Sequence, residues 1–491
     1  MNELLPIDLY SADDVRAMDR HAIERLGIPG ITLMERAGTA AFHALRQRWP
    51  AARFISVVCG GGNNGGDGYV IARLCLEAGL DVRVYAIRPP EQLQGDARLA
   101  FQDYRDAGGS WLDYVPVQLE YAEVIVDALF GTGLDREVTG NDAAVIRAIN
   151  GTSAGVLAVD IPSGLHADSG AVLGCASEAD VTVSFIGLKR GLFTGAGPAH
   201  SGSVIFDDLG TPSAVRQSAT VSARLIQSGH CRLPRRTATA HKGHFGHVLV
   251  IGGDAGFGGA AHLAATAAAR IGAGLVSVAA HPDHAAALNA TRPELMCRGI
   301  RDESDLQPLL ARATVLALGP GLGQRDWSRM LFRAALASNL PLVVDADALN
   351  LLALAPARRE NWVLTPHPGE AARLLDTTTA AIGRDRFGAI TELQARYGGV
   401  VVLKGAGSLV RGPDGLPHIC TAGNPGMATG GIGDVLTGVI AGLMAQGLDA
   451  PVAARYGVQW HAEAGDRAAA DGERGLLAGD LLAPLRALAN Q

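Results

Sequence analysis

The sequence predicts a two-domain α/β protein with a mainly parallel sheet in each half. Three observations carry that expectation. The chain has 491 residues, too many for one ordinary hydrophobic core. Two stretches alternate short apolar runs with helical patterns, the signature of successive strand–helix–strand units. Sixty-three glycines stand beside an aromatic content of only 5%, which suits turns where main-chain amides approach an anion.

In the first half the runs at 54–59, 82–87, 124–130 and 156–161 are rich in Val and Ile and largely apolar. Parallel strands covered on both faces read this way. In the second half the runs at 247–251, 275–280, 315–318, 342–344, 362–364 and 400–403 repeat the theme. Over roughly 211–239 the periodicity fades while polar residues, Pro and Arg accumulate. A linker is expected there, so the domains are read as 1–215 and 225–491.

The formal net charge is −7, with no long basic run. Phosphate-backbone binding needs clustered Lys and Arg, so nucleic acid is not expected as a partner. The six cysteines are scattered without a C-x-x-C pair and read as reduced thiols. The first residues lack a basic start followed by an apolar run, and no window of about 18 residues is apolar enough to span a bilayer. A cytoplasmic protein without a membrane partner is expected.

The first chemical signal is Gly60-Gly61-Gly62-Asn63-Asn64-Gly65-Gly66-Asp67-Gly68, placed after the run 54–59 and before a helix expected over 69–78. Strand, glycines and helix in that order make a phosphate-binding layout. Gly60, Gly62 and Gly65 satisfy G-x-G-x-x-G, but the next strand ends Ala86-Ile87-Arg88 with no acid for a ribose. That argues against a hydride-transfer domain. A tight structural turn is the bland alternative. Two further strand ends carry oxygen ligands, Asp127 in one and Asp160 with Ser163 in the other. Each carboxylate alone is more often a turn-former or cap. Together with Asn64 they could converge where parallel strands line a crevice.

These segments, with Asp127-Ala128-Leu129-Phe130-Gly131-Thr132-Gly133, Asp160-Ile161-Pro162-Ser163-Gly164 and the earlier Leu33-Met34-Glu35-Arg36-Ala37-Gly38, resemble the NAD(P)H-hydrate epimerase family over about 8–210. The resemblance implies a Rossmann-like α/β/α sandwich and a potassium ion held by Asn64, Asp127 and Ser163. Hard oxygen donors suit such a cation. It also implies contacts to the hydrated dinucleotide from Asn63, Asn64, Gly65, Gly66 and Asp67, from Gly131, Thr132, Gly133, Leu134, Asp135, Arg136 and Glu137, and from Asp160. Asp160 is the expected acid/base for inversion at C6.

The second signal is Thr429-Gly430-Gly431-Ile432-Gly433-Asp434, followed by apolar Val435, Leu436, Val439, Ile440 and Leu443 at helical spacing and closed near Gly447. Glycine amides at a helix N-terminus can cradle a transferring phosphoryl group, and Asp434 on the first turn can take a proton from an attacking hydroxyl. The bland alternative is an Asp capping a buried helix. Lys404-Gly405-Ala406-Gly407-Ser408, Thr365-Pro366-His367-Pro368-Gly369-Glu370 and Val344-Asp345-Ala346-Asp347 end other strands. No G-x-x-x-x-G-K-[ST] occurs, so a P-loop kinase is disfavoured.

With His241-Lys242-Gly243-His244-Phe245-Gly246, Ile251-Gly252-Gly253 and Gly319-Pro320-Gly321-Leu322-Gly323, this half is similar to the ribokinase-like superfamily. Within it, the NAD(P)H-hydrate dehydratase branch is matched over about 225–488. The resemblance implies a ribokinase-like α/β domain that uses ADP, or ATP in its place, with Mg2+. Lys404, Gly405, Ala406, Gly407, Ser408 and Gly433 would contact the adenine nucleotide. Ala260, Gly321, His367 and Asp434 would contact the hydrate, Asp434 acting as base. The run before Ala260 departs from the branch at Phe257 and Gly258.

His241, His244 and His247 invite a zinc reading, but they lie in a glycine-containing segment without a Cys or carboxylate neighbour, and a loop is favoured. The two resemblances imply repair of hydrated NADH and NADPH: epimerisation of the R and S hydrates, then dehydration of the S form. The alternative is a ribokinase-like vitamin or sugar kinase fused to a non-catalytic nucleotide-binding scaffold. Retention of Asp127 and Asp160 speaks against the scaffold. A homo-oligomer is the expected assembly.

Overall fold

The computed structural model describes residues 5–113, 119 and 121–491. The chain divides into two compact units, Met1–Arg224 and Leu225–Gln491. Among the described residues no helix is long and apolar enough to cross a membrane.

Among the described residues the first unit is built on seven parallel strands. Their spatial order is Trp111–Asp113, Asp81–Ala86, Phe54–Cys59, Val124–Ala128, Gly155–Val159, Val181–Phe185 and Ser203–Asp207. The chain runs outward from Phe54–Cys59 to Trp111–Asp113, then returns to Val124–Ala128 on the other side. The order reverses between these two central strands, and ligands of open α/β sheets bind at the carboxyl ends beside such a reversal.

Val181–Phe185 escapes a reading of apolar runs because hydroxyl residues interrupt it, and half-exposed Ser203–Asp207 because only its three central residues are apolar. Thr182 and Ser184 are fully buried, and Thr182 Oγ1 donates to Ser201 O at 2.7 Å. A satisfied hydroxyl is tolerated in such a core. A short strand, Asp8–Tyr10, pairs in parallel with Leu188–Lys189 and antiparallel with residues 223–224. That pairing fixes the backbone of Lys189.

The first glycine cluster differs from the expected free loop. The helix begins at Asn63 and runs to Glu77, so Gly65, Gly66 and Gly68 lie inside it. A Cβ on Gly65 would stand 2.0 Å from Gly60 O, and one on Gly68 would stand 2.7 Å from Ala128 Cβ. These glycines let the helix lie against the strand ends, a packing demand that outweighs their poor helix propensity.

In the second unit seven parallel strands are ordered Met296–Gly299, Leu275–Ala280, His247–Ile251, Val315–Leu318, Leu342–Val344, Trp362–Leu364 and Val400–Leu403. Ser408–Arg411 and His418–Cys420 continue the sheet antiparallel. Six of these strands have the bounds expected from their apolar runs; the half-exposed Met296–Gly299 and the hairpin carry weaker patterns. The order again reverses beside His247–Ile251. Helix Ile432–Ala445 is buried along nearly its whole length and packs on helix Gly258–Arg270. A Cβ on Gly438 would fall 2.0 Å from Ala264 O, and one on Gly442 would fall 2.9 Å from Ala268 O.

Two candidate active sites

A cavity of about 670 Å³ opens at the carboxyl ends of the first sheet. Asn63, Asn64, Asp67 and Asp160 line it, as do Gly131, Thr132, Gly133, Leu134, Asp135 and Arg136. Gly65 and Gly66 are buried in the helix, and Glu137 is exposed outside the lining. Arg88 also lines the cavity, where a ribose-binding acid would otherwise stand, and pairs with Asp142 at 2.8 Å.

Asp160 leaves strand Gly155–Val159 with φ +71°, a left-handed conformation that costs free energy in a non-glycine residue. Its amide donates to Val183 O at 2.7 Å, which anchors the strained turn. The carboxylate meets the ammonium of Lys189. Lys189 is fully buried and also donates to Ser184 Oγ at 3.1 Å and to Phe185 O at 3.2 Å. A buried charge held this way needs its counter-charge.

Two more carboxyls face the same space. Asp19, on helix Ala12–Arg20, is pushed up to about 6 by burial, with Lys189 opposing and Asp160 adding to the rise. Burial also lifts Asp67 well above the usual carboxylate range, reinforced by Asp160 and Asp19. Perturbed groups gathered in one cleft mark a functional site.

Beneath the cavity floor, Asp127 is fully buried. Its Oδ1 accepts from Ser163 Oγ at 2.6 Å and its Oδ2 from Ser163 N at 2.9 Å. Ser177 Oγ donates to Oδ2 as well. Burial still pushes the Asp127 carboxyl up, these hydrogen bonds opposing it. The side-chain amide of Asn64 is buried, and neither its Oδ1 nor its Nδ2 has a partner. Buried polar atoms are nearly always satisfied, so an orphaned pair calls for an explanation.

The second site gathers around Lys404. Its ammonium lies 2.7 Å from Asp345 Oδ1 and 3.8 Å from Glu370 Oε2. Thr437 Oγ1 donates to Asp345 Oδ2 at 2.7 Å. Burial works against the charge on Lys404, but Asp345 and Glu370 outweigh it and hold its pKa up. Gly433 is pressed against this pair: a Cβ there would stand 3.3 Å from Lys404 Nζ. Asp434, one residue on, is pushed up to about 7, first by burial and then by Asp345, with Lys404 opposing. Glu370 is likewise pushed up to about 7, chiefly by burial.

His367 caps helix Pro368–Leu375, its Nδ1 accepting from Gly369 N at 3.0 Å while Glu370 accepts from His367 N at 2.8 Å. Burial and Lys404 lower the His367 pKa, consistent with the neutral ring its capping role requires. Ala260 and Gly321 adjoin each other, a Cβ on Gly321 falling 3.1 Å from Ala260 Cβ. Gly405 and Ala406 are exposed, and Ser408 Oγ closes their turn on Gly405 O at 2.9 Å. Lys404 itself is turned onto Asp345, so Gly405, Ala406, Gly407 and Ser408 offer mainly backbone and hydroxyl groups.

His247 begins a strand and is bonded to Ser277 Oγ at 2.7 Å, while the rings of His241 and His244 stack 3.6 Å apart. Among the described residues no set of three or more His, Cys, Asp or Glu side chains could hold a metal. Sequence reasoning missed Asp19, Lys189, Ser177 and Thr437. Asp19 and Thr437 sit inside ordinary amphipathic or apolar helices. Lys189 follows a strand hidden by hydroxyls, and Ser177 lies in a loop without a motif.

Fold and sites together define an α/β enzyme with two nucleotide-type sites on one chain. A family model described as "YjeF-related protein N-terminus" matches residues 30–191, and one described as "NAD(P)H-hydrate dehydratase" matches 248–486. The bifunctional NAD(P)H-hydrate repair enzyme Nnr of Coxiella burnetii is 50% identical over 485 residues, covering 98% of this chain and 99% of its own length. That of Escherichia coli K12 is 44% identical over 490 residues, covering 99% and 95%. A solved ADP/ATP-dependent NAD(P)H-hydrate dehydratase from Bacillus subtilis is 28% identical, covering 54% of this chain and 97% of that one with a TM-score of 0.49. The chain belongs to the bifunctional NAD(P)H-hydrate repair enzymes.

Proposed function

We propose that this chain returns hydrated NADH and NADPH to service in two places. Residues 1–215 invert the hydrate at C6 inside the 670 Å³ cavity, and residues 225–491 dehydrate the S form at the expense of an adenine nucleotide. The observation that carries this reading is the separate furnishing of two crevices. One holds Asp160 on a buried lysine, and the other holds Asp434 on a glycine-led helix beside Lys404 and Asp345.

In the first crevice, Asn63, Asp67 and the segment 131–136 embrace the dinucleotide, and Asp160 exchanges protons at the C6 oxygen. Asn64, Asp127 and Ser163 would hold potassium. The orphaned amide of Asn64 and the burial of Asp127, which its hydrogen bonds offset only in part, fit a cation. Bound there, it would offset the Asp127 charge. Replacing sodium by potassium is then expected to raise the melting temperature of the protein. At about a hundred times the dissociation constant the gain is about 2.7 kcal/mol, and Asn64→Ala removes it. Thermal melts in the two salts measure this.

In the second crevice, Asp434 takes the proton of the C6 hydroxyl as that oxygen attacks the terminal phosphoryl group of ADP, with ATP as the alternative donor. Amides at 430–433 and the turn Gly405-Ala406-Gly407-Ser408 position the phosphates. The C6–O bond then breaks, phosphate leaves, and loss of the C5 proton to water restores the ring double bond. Magnesium fits as an ion carried in on the nucleotide's phosphates, since such ions keep few protein ligands. It would screen the phosphoryl charge.

The free-enzyme base must be ionised, so kcat/KM for dehydration is expected to rise with pH through about 7, the value to which burial and Asp345 lift Asp434. Below that point the loss approaches about tenfold per pH unit. A pH–rate profile with S hydrate, run in parallel with ADP and ATP, tests the base and the donor together. A flat acid limb defeats the role of Asp434.

A further inference from the structure

Inversion at C6 has a requirement that one carboxylate meets poorly. The hydroxyl must depart from one face of the ring and a water must arrive at the other, so a proton is needed on one side as one is released on the other. Asp160 comes from a strand end of the sheet. Asp19 comes from an unrelated helix, Ala12–Arg20, and lines the same cavity. Among the described residues no hydrogen bond or ion pair occupies the Asp19 carboxyl, whereas Asp160 is committed to Lys189.

We infer that Asp19 is a second catalytic residue of the first crevice, protonating the departing hydroxyl while Asp160 receives the proton of the incoming water. This rests on the proposed epimerase reading. The electron pair of N1 forms an N1=C6 double bond as the C6–O bond breaks, and the hydroxyl leaves as water with the Asp19 proton. A second water adds to C6 from the opposite face, the N1=C6 pair returns to nitrogen, and its surplus proton passes to Asp160. No electrons are lost, one water replaces another, and one proton moves from Asp19 to Asp160. Exchange with solvent or the reverse reaction resets the pair.

The charged neighbours of Asp19 suit the role. Asp67 lies nearby, and burial first, then Lys189 opposing, Asp160 adding and Arg20 opposing, place the Asp19 pKa at about 6, where both forms are accessible near neutrality. Burial, with Asp160 and Asp19 adding to it, also raises Asp67 in the same cavity.

The test follows pure R hydrate in the full chain without nucleotide, separating the epimers by chromatography, in H2(18)O. Wild type is expected to gain one (18)O per inversion, and its rate should fall as pH rises above about 6. Asp19→Asn should lose about 10²-fold in kcat and flatten that limb, with Asp19→Glu recovering most of the rate. Thermal melts of the same variants, compared with wild type, report that the first unit, which carries Asp19, is folded. An Asp19→Asn rate within twofold of wild type, or inversion without (18)O, overturns the inference. An unaffected Asp160→Asn would instead overturn the parent reading.

Discussion

Asp434→Asn is expected to yield a chain that still interconverts the hydrate epimers but no longer dehydrates either. The substitution keeps the shape of the side chain and removes the base. General-base catalysis contributes about 10²- to 10⁴-fold, so the barrier should rise by about 3–5 kcal/mol. The second unit should not lose stability, because burial and Asp345 already disfavour the charge on Asp434. Mixed R and S hydrates with ADP provide the assay: dihydronicotinamide absorbance stays flat while chromatography shows the epimers equilibrating. Recovery at more than a tenth of the wild-type rate would remove Asp434 from the mechanism.

Asp160→Asn should produce the complementary defect. Epimerisation falls by about 10²- to 10⁴-fold, so only the S portion of a mixed hydrate sample is rapidly restored and the R portion accumulates. This variant carries a second penalty, because Lys189 is fully buried and loses its counter-charge. Removing one partner of a buried pair costs about 3–5 kcal/mol. A double variant, Asp160→Asn with Lys189→Met, should regain much of the melting temperature without regaining inversion. If the double variant recovered activity, the Asp160 carboxyl would be serving structure alone.

How much of this was legible beforehand depended on the kind of signal. Uninterrupted Val- and Ile-rich runs such as 400–403 gave strands with correct bounds, since burial on both faces leaves no room for polar residues. Val181–Phe185 was hidden by Thr182 and Ser184, whose hydroxyls are satisfied internally and so do not betray the core. Asp434 was legible because its glycines and the apolar spacing that follows it share one short segment. Asp19 and Lys189 were not, because nothing in their local sequence marks them; only the tertiary fold carries both to the Asp160 cavity. The glycines at 65 and 66 read as ligand-facing, but their missing side chains chiefly accommodate Gly60 and Met34.

The contact of Ile432–Ala445 with Gly258–Arg270 has a mechanical consequence. Gly438 and Gly442 let the two backbones touch without intervening side chains, so the pair has no soft layer in which to slide. Asp434 rides on one rod and Ala260 on the other, so the spacing between these two residues is set during folding. The two helices therefore move as one rigid body, and any relative displacement within this unit has to come from segments outside the pair.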